Sequence, residues 1–165
     1  MEDNLEKLIE AYKEGDAFAR ERLKKMKEKF EELIKLCESG QAITKENVGE
    51  NILADKKGFQ LIIPTDNKKT HGYFLVVSEQ GHDCYTHDDV STHIYHILKG
   101  EGEFIVDGER FPVKEGETPV IIPPKKTFYY SGKMLMILEM LPNFEQENSH
   151  VDKFVEYEEE NEEVR

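Results

Sequence analysis

From residue 58 to residue 141 the chain repeats one pattern, a short run of aromatic, β-branched and aliphatic residues followed by a cluster of turn formers. Residues 59–63 close at Pro64, 73–77 follow a polar loop, and 118–122 lead into Pro123-Pro124. Between 102–106 and 109–113 stands Asp107-Gly108, a pair that favours the positive φ of a tight hairpin. Gly100-Glu101-Gly102 reads as a bend between strands, and Ser131-Gly132-Lys133 as a turn between 127–130 and 134–141. About eight short strands at this spacing leave little room for helices and predict an all-β sandwich or barrel.

The chemistry-bearing residues concentrate in the middle of this run. Four of the six histidines, His82, His87, His93 and His96, lie between Gly81 and Gly100, together with Asp83, Asp88 and Asp89. A strand sends residues i and i+2 to one face. His87 and Asp89 are therefore expected to converge, with Asp88 and Cys84 pointing away. Beyond a bend at residues 90–92, His93, Tyr95 and Ile97 should share one face, and Ile94, His96 and Leu98 the other. Imidazole and carboxylate in this arrangement suit a divalent metal or an acid/base pair.

The frame of this stretch resembles the first motif of the cupin family: a glycine, five residues, His-x-His, three or four residues, Glu, six residues, glycine. Here it reads Gly81, five residues, His87-x-Asp89, three residues, His93, six residues, Gly100. Two ligand positions have changed type, and Phe128 stands where the second motif of the family places a histidine. The resemblance covers roughly residues 55–142 and implies a jelly-roll barrel with His87, Asp89, His93 and Tyr95 facing in. It further implies a divalent metal (Fe, Mn or Zn) held by His87, Asp89 and His93. Tyr85 and Phe128 would line a small-molecule pocket, with Tyr95 or Tyr130 donating protons. The function implied is binding of a small polar molecule, a sugar or organic acid, by a metal-dependent isomerase, lyase or oxygenase. Two alternatives stay open. One is a metal-free binding or regulatory module in which Asp89 and His93 pair; the other is a metal-free enzyme with His87 or His93 as base. His71 and His150 have no partner pattern and read as surface residues; His82 and His96 read as structural or exposed.

The 165 residues divide into an N-terminal helical segment (1–40), the barrel (41–145) and an acidic tail (146–165). Leu5, Leu8, Ile9 and Tyr12 recur at helical spacing, and so do Leu23, Met26, Phe30, Leu33, Ile34 and Cys37. Asp3 with Glu6 resembles a capping pair, Gly15-Asp16 interrupts the helix, and Asp16 is placed to cap the next one. The apolar stripe predicts packing on the barrel or on a second copy. A net charge of −13 argues against nucleic-acid and anionic-membrane partners. Two distant cysteines and an acidic, apolar-poor start predict a reducing, cytoplasmic setting. A homodimer is expected, because jelly rolls leave sheet edges to cover. Six glutamates within residues 156–163 predict disorder there.

Overall fold

The computed structural model describes residues 2–41, 43–44, 52–56, 58–63 and 67–155. Among the described residues three α-helices precede nine strands: α1 Glu2–Glu14, α2 Ala17–Lys29 and α3 Glu31–Glu38. Gly15 breaks the first pair at φ 64°, and the Asp16 carboxylate accepts the Ala19 amide at 3.0 Å, capping α2 as expected. A second break, not expected, falls at Phe30 (φ −113°, ψ 18°). Its ring is buried and packs edge-on against Tyr73, 5.8 Å away, so the kink turns the helical arm along the sheet. The side chain of Asp3 lies outside the described residues.

The strands are β1 Ile52–Asp55, β2 Phe59–Ile62, β3 Gly72–Ser78, β4 Cys84–Asp88, β5 Thr92–Val106, β6 Glu109–Lys114, β7 Val120–Ile122, β8 Phe128–Leu141 and β9 Ser149–Phe154. They form one curled antiparallel sheet in the order β1-β2-β3-β8-β4-β9, with β5 pairing β6, β7 and β8. The two segments read as bends are not bends. β5 and β8 each run straight through them and pair from Thr92↔Leu141 to Val106↔Phe128. The glycines serve close approach instead. Gly102 and Gly132 face each other, and a Cβ on Gly132 would come within 2.7 Å of the Gly102 Cα. The expected hairpin forms, with Asp107 at φ 48° and Gly108 at φ 85°. Residues 149–154, placed in the tail by the sequence, instead form β9 and pair with β4. The glutamate run lies outside the described residues.

Alternation sorts the two faces. Phe74, Val76, Tyr95, Ile97, Phe104, Phe128, Tyr130, Met134, Met136 and Met140 fill the barrel interior. Tyr73, Leu75, Leu135 and Ile137 point outward and meet Met26 and Phe30; Ile94 meets Leu8, Ala11, Tyr12 and Ala19. Burying these stripes explains why the helices lie on the sheet, since amphipathic helices of this length are marginal alone.

At the centre of that outer interface sits an ionised group. Glu139 is fully buried and takes bonds from Arg22 (Nε 3.0 Å, Nη2 2.8 Å), His71 Nε2 (2.8 Å), His96 Nε2 (2.9 Å) and the Tyr12 hydroxyl. Burial pushes its pKa up, but the bonds from His71 and His96 and the charges of His96 and Arg22 outweigh burial and hold it below the usual range. His71, read as a surface residue, is thus part of a buried network, and His96 lies on the face opposite His93 as alternation predicts.

Candidate functional site

The motif glycines hold the central stretch against β8. Gly81 (φ 136°) sits where a Cβ would lie 2.6 Å from the Tyr130 carbonyl oxygen. Gly100 (φ 91°) sits where a Cβ would lie 2.3 Å from that of Lys133. Both positions combine positive φ with backbone contact, which only glycine accommodates.

Between them, β5 has the phase expected from sequence and β4 the opposite one. His93 and Tyr95 face the barrel interior, with His93 5.1 Å and Tyr95 5.9 Å from the Phe128 ring, centroid to centroid. On β4, however, Cys84 and Asp88 are buried, while His87 and Asp89 lie on the outer side toward β9. His87 stacks on His150 (5.0 Å), its Nδ1 meets Asp152 at 2.8 Å, and its Nε2 lies 3.5 Å from Asp89. Asp89 in turn meets His150 Nε2 at 2.8 Å. The structure thus brings His87 and Asp89 together, with His150 rather than His93 as third member. Among the described residues, two groups of three ligand atoms converge, His87/Asp89/His150 and His82/Asp83/Cys84, and neither contains His93. The reversal follows from pairing: β4 touches β8 only at Thr86↔Phe128 but pairs with β9 along its length, with an irregularity between Tyr85 and Thr86.

A cupin-type metal inside the barrel therefore does not fit these residues. Of the three motif positions, only His93 faces in, and the fourth is Phe128, whose side chain offers no ligand atom.

What the interior does hold is a row of polar rings among apolar walls. His82, read as structural or exposed, stacks on Phe59 (4.9 Å) and stands edge-on to Tyr130 (5.3 Å). Tyr130 lies 5.5 Å from Tyr95, and Tyr95 6.3 Å from His93. Nδ1 of His82 sits 3.2 Å from both the Cys84 amide and Asp83. Asp83 is held well below the usual carboxylate range, chiefly by its bond to His82. Burial pushes the Cys84 thiol up to about 12 and raises the Tyr95 phenol above its ordinary value, so both stay protonated. Burial also lowers His93 to about 4, outweighing the nearby Asp88 charge and the Ser91 backbone, so the ring is neutral at pH 7.

Asp88 completes the group. Its Oδ1 accepts the Val90 and Ser91 amides at 2.9 and 2.6 Å, closing the β4–β5 turn. Its Oδ2 is buried and has no hydrogen-bond partner among the described residues. Nothing in the local sequence marked Asp88 as inward; only the strand phase, visible in three dimensions, does so. Tyr85 lies apart from this row. It is half-buried and stacks on Tyr129 at 4.9 Å, with Lys153 Nζ 5.9 Å from its ring. A cleft of about 470 Å³ lies beside α3, lined by Cys37, Ile43, Phe59, Val77 and Leu135 among others; it meets the interior row through Phe59, which stacks on His82.

No family model matches the chain, and no curated protein matches it in sequence. Solved structures do. The nucleoside dehydratase Pac13 of Streptomyces is 23% identical, with a TM-score of 0.61 over 65% of this chain and 89% of that one. Three substituted forms of it, two Tyr→Phe and one His→Gln, were solved with uridine. The ectoine synthase of P. lautus is 15% identical at a TM-score of 0.53, covering 71% and 93%. KdgF from Halomonas sp. is 16% identical at 0.51, covering 64% and 94%. With these likenesses the mainly β chain, its curled sheet and its N-terminal helices constitute a cupin-type fold. Among the described residues no helix is long and apolar enough to cross a membrane.

Proposed function

We propose that this cupin binds a small hydroxylated ring compound, a sugar or nucleoside, inside the barrel and eliminates water from it without an interior metal. The observation that carries the reading is the Asp88 Oδ2, a buried carboxylate oxygen with no partner among the described residues, whose charge acts on His93 at the head of the row His93–Tyr95–Tyr130–His82. Buried polar atoms are nearly always paired, and one left open at an aromatic-walled site awaits a ligand hydroxyl.

Elimination of water needs a group to take a proton beside the leaving hydroxyl and donors to protonate that hydroxyl. His93, neutral down to about pH 4, is the acceptor. The phenols of Tyr95 and Tyr130 are the donors, with the His82 ring edge-on to Tyr130, and Asp88 anchors a second hydroxyl. Phe128 and Phe104 supply flat walls for the ring and exclude water. Spacing supports the choice of substrate class. In the Streptomyces nucleoside dehydratase the substituted histidine and first tyrosine are thirteen residues apart, and the two tyrosines thirty-four. Here His82 precedes Tyr95 by thirteen, and Tyr130 follows Tyr95 by thirty-five. A metal-dependent isomerase or oxygenase has less support, because His87 and Asp89 of the motif point outward and His93 alone faces in.

A cytoplasmic homodimer belongs to the same proposal, with the exposed Val151 and Phe154 of the β9 edge as its contact; a monomeric mass by light scattering would refute that part. The function is tested by incubating metal-stripped, tag-free protein with a panel of nucleosides and sugars and watching by mass spectrometry for loss of one water. Turnover or saturable binding that Tyr95→Phe and His82→Gln abolish supports the reading. If neither binding nor turnover occurs with any member, or both persist in those variants, the interior is a packed core and not a site.

A further inference from the structure

We propose that His87, Asp89 and His150 hold a divalent metal ion of the zinc class on the outer face of the barrel, with Asp152 as positioning residue. The proposal is independent of the interior site.

Pairing of β4 with β9 sets His87 directly opposite His150, and their rings stack at 26°. Asp89 follows β4 and turns its carboxylate between them, with Oδ2 2.8 Å from His150 Nε2 and Oδ1 3.5 Å from His87 Nε2. The three ligand atoms all lie within 4.8 Å of one another. Ligands about 2.1 Å from a tetrahedral ion sit roughly 3.4 Å apart, so side-chain rotation alone suffices to seat one. Two imidazoles and one carboxylate suit zinc, cobalt or nickel, with water completing the shell.

Asp152 argues for a metal over a simple ion pair. It holds His87 Nδ1 through both oxygens, at 2.8 and 3.1 Å, and accepts from the Thr127 hydroxyl at 3.0 Å. A carboxylate on Nδ1 fixes the proton there and turns the Nε2 lone pair toward the centre, as in metal-ligating histidines generally. Asp89 and His150 are each 44% exposed at the side chain, so an ion can enter from solvent. The ion would fasten β9, whose sheet partner is β4, to the β4–β5 turn that carries Asp88. Two of the motif positions thus keep metal-ligand chemistry but serve a clamp outside the barrel.

The test uses full-length, tag-free protein stripped with chelator, titrated with zinc chloride by calorimetry and with cobalt chloride by visible absorption. One equivalent should bind, and melting should rise by roughly 5–10 °C at a hundredfold excess over Kd. His150→Gln and Asp89→Asn should each abolish the shift. Asp152→Asn should weaken binding by roughly 10–100-fold. His93→Ala and Cys84→Ser should leave binding in place, the latter separating this site from the His82/Asp83/Cys84 group. Absence of binding overturns the proposal, and so does binding that survives both His150→Gln and Asp89→Asn.

Discussion

Replacing Glu139 by Gln removes the charge around which the helical arm is docked while nearly preserving side-chain volume. The carboxylate is fully buried and receives bonds from Tyr12, Arg22, His71 and His96. Summing the five charge-assisted bonds at ~1.5–3 kcal/mol apiece gives about 7–15 kcal/mol, as much as the whole stability of a domain, because the sum leaves out the cost of burying the charge. The better bound is the cost of removing one partner from a buried ion pair, about 3–5 kcal/mol. Arg22 and His71 keep about a quarter of their side-chain surface exposed (26% each), which favours the lower end. With a slope of ~2 kcal/mol per molar urea, the unfolding midpoint should fall by about 1.5–2 M. Amide exchange should accelerate first in α1 and α2, since Tyr12 and Arg22 come from those helices. The same carboxylate gives a pH signature. Its pKa is held below the usual 4.5, so its contribution is present above that value and is lost as pH falls through the folded value. A midpoint within ~0.3 M of wild type, or unchanged exchange in α1, would show that apolar contacts alone dock the arm.

Three further perturbations test other parts of the structure. Asp88→Asn keeps an oxygen for the Val90 and Ser91 amides but alters the unpaired atom, so stability should hold within ~1 kcal/mol while affinity for the ring ligand falls roughly 10–100-fold by calorimetry. His93, neutral in the fold to about pH 4 and ordinarily titrating at 6.5, should contribute stability that is complete above 6.5 and lost between 6.5 and 4, by about 3 kcal/mol; His93→Gln should flatten urea midpoints across that window. Phe128→His restores the imidazole of the second cupin motif, yet zinc affinity should not rise, because His87 and Asp89 face the other way; a new tight site in that variant would disprove the strand phase.

How far the sequence carried depends on which contacts decide each feature. The hairpin at Asp107-Gly108 and the shared face of His93 and Tyr95 follow from local periodicity, and local periodicity is written in the residues; that this face is the inner one came from the resemblance to the cupin motif. The errors came where a partner strand overrides a local signal. Gly100-Glu101-Gly102 and Ser131-Gly132-Lys133 look like turns in isolation. They are a crossing point, because each glycine makes room for the other strand. The phase of β4 was beyond reach for the same reason. It is set by β9, from a segment that composition assigned to the tail. Only with that strand in place do His150 and Asp152 arrive beside His87. His71 and His96, 68 and 43 residues from their shared carboxylate, carry no linear sign of it either. One consequence separates the two candidate sites. The interior row depends on β5 and β8, the longest-paired strands of the sheet, whereas the outer cluster depends on an edge strand joined to β4 alone. Deleting residues 149–155 should therefore abolish zinc binding outright. It should spare binding of the ring ligand if the β4–β5 turn keeps Asp88 in place, a separation that no single substitution within the motif can achieve.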